Sequence, residues 1–206
     1  MILIVSREVE GAVGEGVCEL GAGGFHIQGI RRGDGVGEAV TGLGDMNNDG
    51  RAEIAVSAPY ASRPRVFVVF GKASTTTVKL SSLGRKGFVI LSKPRPRQTY
   101  FGSELSSAGD VNADGRGDLM VGLFWSHYGE RRFAGNVYIV HGQTTSSTIQ
   151  VGPLGRHGYR IVGPFAASSF GERGMASLGD ATGDGHPDFA FGAKTSNTRH
   201  TYILSQ

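Results

Sequence analysis

Three short segments of the chain carry oxygen-bearing side chains at alternate positions. They read DMNNDGRAE, DVNADGRGD and DATGDGHPD, and each has an acid at positions 1, 5 and 9 and a glycine at position 6. Alternate residues of a curling loop can point inward together, while the glycine adopts backbone angles that other residues resist. Three clustered acids repel one another unless a cation is present. The spacing therefore predicts three metal-binding loops.

The predicted ligands occupy the odd positions of each loop, and position 7 contributes its backbone carbonyl. They are Asp45, Asn47, Asp49, Arg51 and Glu53 in the first loop, Asp110, Asn112, Asp114, Arg116 and Asp118 in the second, and Asp180, Thr182, Asp184, His186 and Asp188 in the third. Oxygen donors of this kind favour Ca²⁺ over Zn²⁺ or Cu²⁺, and Mg²⁺ demands stricter octahedral geometry. We therefore predict up to three Ca²⁺ ions. The third loop departs from the others by having Thr182 at position 3.

The loops have two other possible interpretations. Asp, Asn and Gly are common in hairpin turns that bind no metal, but three such turns in phase favour a metal. An EF-hand begins with a similar pattern but needs a glutamate at position 12 and flanking helices. Position 12 is Val56, Val121 or Phe191 here, and the flanking residues are typical of strands.

The loops belong to an internal repeat with a period of about 65 to 70 residues, given by the positions of Asp45, Asp110 and Asp180. Each loop is followed by a second apolar segment, RVFVVFGK, NVYIVHGQ or HTYILSQ, and the opening MILIVSRE fits the same slot. A third kind of segment precedes each loop: GFHIQGI, GFVILSK or GYRIVGP. Short runs rich in Val, Ile, Phe and Tyr between turn residues indicate strands, at about four per repeat. This period and strand number are typical of propeller blades.

Composition supports a folded all-β domain and limits the possible partners. The chain has 34 glycines without a collagen period, which fits many tight turns, and a single cysteine, Cys18, so no internal disulfide can form. No apolar run is long enough to cross a bilayer. Half of the 18 acidic residues lie in the three loops, which leaves the rest of the chain basic, but its arginines are scattered pairs in loops. We therefore expect no nucleic-acid partner.

The repeats resemble the FG-GAP repeat of integrin α-subunits, from about Gly24 to the C-terminus. Phe101-Gly102 and Phe170-Gly171 match the first element of that motif, and Val36-Gly37 is a variant. The second element is close to Ser57-Ala58-Pro59, partial at Gly192-Ala193, and reduced to its glycine at Gly122.

The resemblance implies a β-propeller, usually seven-bladed, and an extracellular or cell-surface module for protein recognition or adhesion. We predict about three four-stranded blades in a ring that this chain does not close, with residues 1–23 ending a preceding blade and repeats at 24–86, 87–157 and 158–206. A blade must stack on neighbours, so the expected partners are a protein ligand or the remaining blades, with self-association as a further possibility. The alternative is an accessory propeller of a secreted hydrolase such as phosphatidylinositol-glycan-specific phospholipase D.

We predict no catalytic activity, because the histidines fall in different slots of the repeat with no recurring nucleophile beside them. The segment 124–135, FWSHYGERRFAG, contains the chain's one tryptophan, further aromatic residues and two adjacent arginines. Aromatic residues and arginine are what protein interfaces use as anchors, but such residues also pack on a blade. Both interpretations stay open from the sequence.

Overall fold

The chain folds into β-strands joined by turns in the computed structural model, which describes residues 2–6, 24–93, 100–172, 174–194 and 198–205. Its strands are β1 (Ile2–Ser6), β2 (Gly24–Gln28), β3 (Val40–Gly42), β4 (Ile54–Ala58), β5 (Arg65–Val69), β6 (Val78–Lys79), β7 (Gly87–Leu91), β8 (Leu105–Gly109), β9 (Asp118–Leu123), β10 (Asn136–Val140), β11 (Ile149–Gln150), β12 (Gly158–Val162), β13 (Met175–Gly179), β14 (Asp188–Lys194) and β15 (Arg199–Leu204). Within these ranges the helical elements are 3₁₀ turns at Leu80–Ser82, Gly84–Lys86 and Gly155–His157. The predicted all-β class is confirmed. Residues 7–23, most of the predicted end of a preceding blade, lie outside the described ranges.

Three antiparallel sheets follow one another along the chain. The first contains β3, β4, β5 and β7, the second contains β8, β9, β10 and β12, and the third contains β13, β14 and β15. Two of them therefore have the four antiparallel strands expected of a blade, and the third has three within the described residues. The predicted repeats are offset from these sheets by one strand, because β7 and β12 begin a predicted repeat and complete the preceding sheet.

Both faces of the central strands are buried because the sheets stack face to face. Ala55, Val66 and Val68 of the first sheet pack with Leu119 and Val121 of the second. The intervening side chains of β4 and β5 point to the opposite face, where they pack against Phe25 and Ile27 of β2. The second and third sheets stack in the same way through Met120, Val137, Ile139, Phe189 and Phe191. Successive side chains point to opposite faces, and both faces are buried. The central strands are therefore nearly continuous apolar runs in the sequence.

Two very short strands lie in the connections between the third and fourth strands of the first and second sheets. Each pairs with the outer strand on which that sheet is stacked. After β5 the chain returns to the outer strand β2, where β6 pairs in parallel with Ile27 and Gln28. After β10 the chain likewise returns to β7, where β11 pairs in parallel with Ile90 and Leu91. We call β6 and β11 the straps.

The first strand differs from its predicted slot. We expected residues 1–5 to correspond to β5 and β10, each of which runs antiparallel to the strand on its outer side. Instead β1 pairs in parallel with β2, with Ile2 opposite Gly24. A parallel pair cannot be joined by a tight hairpin, so β1 and β2 do not form the antiparallel pair that the slot predicts.

The two halves of the FG-GAP-like motif pair with each other. The amide of Gly102 donates to the carbonyl of Gly122 at 2.9 Å, and the amide of Gly171 donates to Gly192 at 3.1 Å. In the first sheet Gly37 donates to Ser57 at 2.9 Å. The motif therefore marks where the first and second strands of a sheet come together at the end opposite the acidic loops.

Candidate metal-binding loops

The three acidic segments are the hairpins that join the first and second strands of each sheet, and they share one backbone conformation. In each loop the position-1 aspartate accepts hydrogen bonds from the amides of positions 5 and 6. The bonds to Asp45 measure 3.1 and 2.8 Å, those to Asp110 3.0 and 2.7 Å, and those to Asp180 3.0 and 2.9 Å. These backbone amides lower the pKa of Asp45, although desolvation opposes the shift. The position-1 carboxylate thus fixes the curl of the loop.

Left-handed backbone angles complete the curl. The position-6 glycines Gly50, Gly115 and Gly185 have φ of 84°, 80° and 87°. No atom lies within 4 Å of where their Cβ would stand, so glycine is required for its backbone freedom and not for space. Position 4 is also left-handed, with φ of 63° at Asn48 and 55° at Ala113. The three hairpins are therefore one structural unit repeated.

The position-9 acids are completely buried and hold the loop to the strand beside it. Asp118 accepts from the amides of Val111 at 2.9 Å and Gly142 at 2.7 Å. Glu53 accepts in the same way from Met46 and, at 3.2 Å, from Gly71. Burial raises the pKa of Glu53 and raises that of Asp118 to about 6, in spite of these hydrogen bonds.

The third loop follows this pattern only in part. Asp188 accepts from the amides of Ala181 and Thr182, both at 2.8 Å, and Thr182 Oγ1 lies 3.4 Å from Asp188 Oδ1. The departure at position 3 is thus accommodated inside the loop.

Position 7 is alike in all three loops. Its backbone amide donates to the position-5 carboxylate, at 3.0 Å from Arg51, 3.0 Å from Arg116 and 2.9 Å from His186.

The first loop brings its three acids together. One carboxylate oxygen from each of Asp45, Asp49 and Glu53 lies within 4.8 Å of the other two. Asn47 is part of the same cluster, because its Nδ2 lies 3.2 Å from Asp49 Oδ2 and 3.3 Å from Glu53 Oε1. Its Oδ1 is buried and has no hydrogen-bond partner among the described residues. Four of the predicted ligand side chains of this loop therefore surround one centre.

The second and third loops do not bring three acidic ligand atoms this close, among the residues that the structure describes. In the second loop Arg116 Nη1 lies 3.1 Å from Asp114 Oδ2 and offsets part of that acid's charge, whereas the corresponding distance in the first loop, from Arg51 Nη1 to Asp49 Oδ1, is 4.0 Å. The position-9 residue also differs: Glu53 is one methylene longer than Asp118 or Asp188 and can reach the cluster while keeping its backbone hydrogen bonds. The sequence already shows glutamate against aspartate at position 9, and the structure shows that the three acids converge in the loop that has the glutamate.

Sequence reasoning did not identify the amides of Gly71 and Gly142 as part of the loops. Each follows the third strand of its sheet and donates to the position-9 acid. The signal was present, because VFGK and VHGQ place a glycine at the same point after aligned strands. A glycine suits the site because a Cβ at Gly142 would stand 2.7 Å from the carbonyl oxygen of Met46.

Comparison with known proteins places this geometry in a family context. The profile of the FG-GAP repeat matches residues 36–79, which span β3, the first acidic loop, β4, β5 and β6. This segment is an FG-GAP repeat. The match supports an FG-GAP, integrin-α-like domain, and FG-GAP repeats form β-propellers, in keeping with the stacked sheets.

Curated relatives are integrin α-subunits. The chain is 33% identical to mouse integrin alpha-IIb over 91 residues and 38% identical to human integrin alpha-D over 87 residues, which cover 43% and 42% of the chain. It is 28% identical to Chinese hamster (Cricetulus griseus) integrin alpha-3 over 173 residues, or 81% of the chain. These alignments span 8%, 7% and 15% of the relatives' own lengths. In the part of the chain that the structure describes, no helix has the length and apolar character needed to span a membrane.

Proposed function

We propose that the chain is a calcium-binding extracellular β-propeller module that serves protein recognition or cell adhesion and has no catalytic role. The observation that carries the proposal is the convergence of Asp45, Asp49 and Glu53 within 4.8 Å in the first loop. Three carboxylates at this separation repel one another strongly, and a divalent cation would offset that repulsion. The role of the ion would be structural, because it would neutralise the loop and hold the hairpin closed.

The donor set of the first loop fits calcium. Its side chains offer carboxylate oxygens, and Asn47, whose Nδ2 faces Asp49 and Glu53 here, would offer its buried, unpartnered Oδ1 to a cation once the amide group turns over. The residues that would hold the ion are Asp45, Asn47, Asp49 and Glu53, with the carbonyl of Arg51. We propose the corresponding residues of the second and third loops as further sites, for up to three ions.

The recognition role is supported by similarity to integrin alpha-IIb, alpha-D and alpha-3. An adhesion module of this kind would act at the cell surface or outside the cell, where calcium is abundant enough for weak loops to fill. We propose a protein ligand or further propeller blades as its partners.

Thermal unfolding of the purified chain tests the calcium proposal. We expect the melting temperature to rise when EDTA is replaced by millimolar calcium, and to rise less with magnesium at the same concentration. An ion that binds only the folded chain adds about 2 kcal/mol per loop at a concentration of about 30 times its dissociation constant. Sites of this type in extracellular modules have dissociation constants on the order of 10⁻⁴ to 10⁻³ M.

Three variants identify the loops responsible. Asp49→Ala should remove the share of the calcium effect that comes from the first loop, and Asp114→Ala the share that comes from the second. Asp34→Ala is the matched control, because this acid lies outside the loops in the turn that follows β2. A wild-type melting temperature that calcium leaves unchanged would refute the proposal, as would an Asp34→Ala variant that loses as much of the effect as Asp49→Ala.

A further inference from the structure

A small cavity lies between the first and second sheets, away from the acidic loops. Its volume is about 30 Å³, room for a water-sized group or the tip of a carboxylate. It is lined by the polar side chains of Ser92, Lys93, His127, Asn136 and Arg160, together with Leu123, Tyr138 and Val151. We call this cavity the interblade pocket. Among the described residues, no acidic side chain lines it.

Two polar groups in the pocket are buried without a partner. Ser92 is 3% exposed, and its hydroxyl has no hydrogen bond among the described residues. Asn136 is 2% exposed; its Nδ2 donates to Ser126, but its Oδ1 accepts nothing within the described part of the chain. A buried polar atom without a partner costs free energy, so a group that enters the pocket and bonds to these atoms would recover it.

The pocket is also positively charged. Neither Lys93 nor Arg160 forms an ion pair with any acid in the described ranges. The guanidinium of Arg160 lies 4.9 Å from the centre of the Tyr128 ring, a cation–π contact that helps to hold it in place. His127 Nδ1 accepts from the amide of Phe133 at 3.0 Å, so in the neutral ring the hydrogen is on Nε2, and the histidine is a further donor.

We infer that the interblade pocket binds a carboxylate, namely an Asp or Glu side chain of a protein partner. Two cationic side chains, the Ser92 hydroxyl and the Nε2 hydrogen of His127 are donors that suit a small anion, and the volume admits a carboxylate tip. Asn136 Oδ1 needs a donor instead, which a water beside the carboxylate would supply. The inference takes its protein partner from the proposed recognition role, but it does not rest on calcium binding.

An exposed aromatic surface beside the pocket fits a peptide segment around such an acid. Trp125 is 50% exposed and Phe133 is 44% exposed, and their ring centres are 5.9 Å apart. Tyr100 lies edge-on to Trp125 at 5.4 Å and stacks on Phe124 at 5.5 Å. Phe124, Trp125 and Phe133 belong to the segment 124–135, for which the sequence alone allows either an interface or packing on the blade, and Tyr100 joins them from outside it. Exposed aromatic rings next to unpaired cations favour the interface.

The probe is a blocked pentaglutamate peptide titrated into the full chain in calcium buffer, with blocked pentaglutamine as the matched neutral peptide. Trp125 is the chain's single tryptophan, so its fluorescence reports on this surface alone, and titration calorimetry gives a second measure. We expect pentaglutamate to bind in the millimolar range, with an affinity that falls as salt is added, and pentaglutamine to bind at least about tenfold more weakly.

Three variants test the residues of the pocket. Arg160→Gln should weaken pentaglutamate binding about tenfold, because it removes a charged hydrogen-bond donor. Ser92→Ala should weaken binding about threefold and leave the melting temperature unchanged or higher, because it removes an unsatisfied buried hydroxyl. Arg156→Gln, an exposed arginine in the 3₁₀ turn before β12, should bind as the wild type does.

Several results would overturn the inference. The first is the absence of pentaglutamate binding, which would mean that the pocket holds only a water. The second is equal affinity for pentaglutamine and pentaglutamate. The third is an equal loss of pentaglutamate affinity in Arg160→Gln and Arg156→Gln. Melting curves of each variant exclude unfolding as the cause of a loss. Pentaglutamate binding in a chain whose melting temperature ignores calcium would support the pocket while refuting the calcium loops, so the two failures are distinguishable.

Discussion

The acid at position 9 of each loop has a structural role in the fold, in addition to any role in binding an ion. Asp118 is fully buried and accepts hydrogen bonds from Val111 in its own loop and from Gly142 beyond the third strand. By contrast Asp114, at position 5, is partly exposed and bonds within the loop and to Arg116. The same set of predicted ligands therefore contains residues whose loss should act through different mechanisms.

We expect Asp118→Asn to destabilise the chain in EDTA, where no calcium effect contributes. One of the two amides that Asp118 satisfies would face the NH₂ group of asparagine, and a buried donor left without an acceptor costs about 1 to 3 kcal/mol. Asp114→Asn, a change of the same size at an exposed position, should cost less than about 0.5 kcal/mol. Chemical denaturation of both variants in EDTA measures the difference, and equal values would contradict a structural role for position 9.

At the scale of the strands, the outer strand of each full sheet begins where the neighbouring backbone leaves no room for a side chain. A Cβ at Gly158, the first residue of β12, would stand 1.9 Å from the carbonyl oxygen of Ile139. A Cβ at Gly87, the first residue of β7, would stand equally close to the carbonyl oxygen of Val68. The glycine that follows the 3₁₀ turns Gly84–Lys86 and Gly155–His157 is therefore what allows the fourth strand to approach the third.

Gly158→Ala should lower the free energy of unfolding by about 3 kcal/mol or more, because its φ of 135° strains any residue other than glycine and because β12 must move away from β10 and lose hydrogen bonds and core contacts. Gly155→Ala, three residues earlier, is the matched control: its φ is 56°, and nothing lies within 4 Å of the added Cβ. That change should cost only the left-handed conformation, about 1 kcal/mol. Urea denaturation of the two variants makes the comparison, and similar losses would mean that close approach is not the cause.

The strands that build the sheets could be predicted from the sequence because their apolar character is local. RVFVV, NVYIV and GFVIL each carry enough β-branched and aromatic residues to be recognised alone. The straps could not, since β6 is only Val78–Lys79 and β11 only Ile149–Gln150. Two residues have no period, and their pairing with an outer strand depends on the path of the whole connection.

The loops show the same division. Spacing alone predicts that the three acids of each loop lie on one hairpin, and the glycine predicts the left-handed turn. It does not predict that Glu53 reaches the cluster of the first loop, or that Arg116 pairs with Asp114, because both depend on side-chain length and on where neighbouring strands lie. The interblade pocket was also beyond sequence analysis, since Ser92, His127 and Arg160 come together only when two sheets stack.

At the scale of the molecule, the outer face of the third sheet differs from the faces between sheets. Ile203 of β15 pairs with Ala190 of β14 and is 56% exposed. Leu178 at the end of β13 is 42% exposed. The side chains that alternate with these, including Phe189 and Phe191, are packed against the second sheet. In the first and second sheets, the corresponding apolar faces are covered by a neighbouring sheet.

The purified 206-residue chain should therefore self-associate at high concentration through this face. Ile203→Lys should reduce association because it places a charge on the exposed apolar face. Val40→Lys, which changes an exposed apolar residue of the first sheet, is the control and should have little effect. Analytical ultracentrifugation in calcium buffer provides the measurement. A wild-type chain that stays monomeric, or equal effects of the two substitutions, would contradict the prediction.

The straps also bear on how such a chain can gain or lose parts during evolution. The stretch from the start of one outer strand to the residue before the next contains both partners of a strap pairing: β2 with β6, and β7 with β11. The same stretch gives its first strand to the sheet before it and three strands to the sheet after it. A gene duplication of one stretch would therefore insert a blade while every strap kept its partner and every internal sheet kept four antiparallel strands. The number of blades can therefore change by one without breaking any pairing between a strap and its outer strand. This follows because the duplicated stretch of sequence and the packed sheet are offset by one strand.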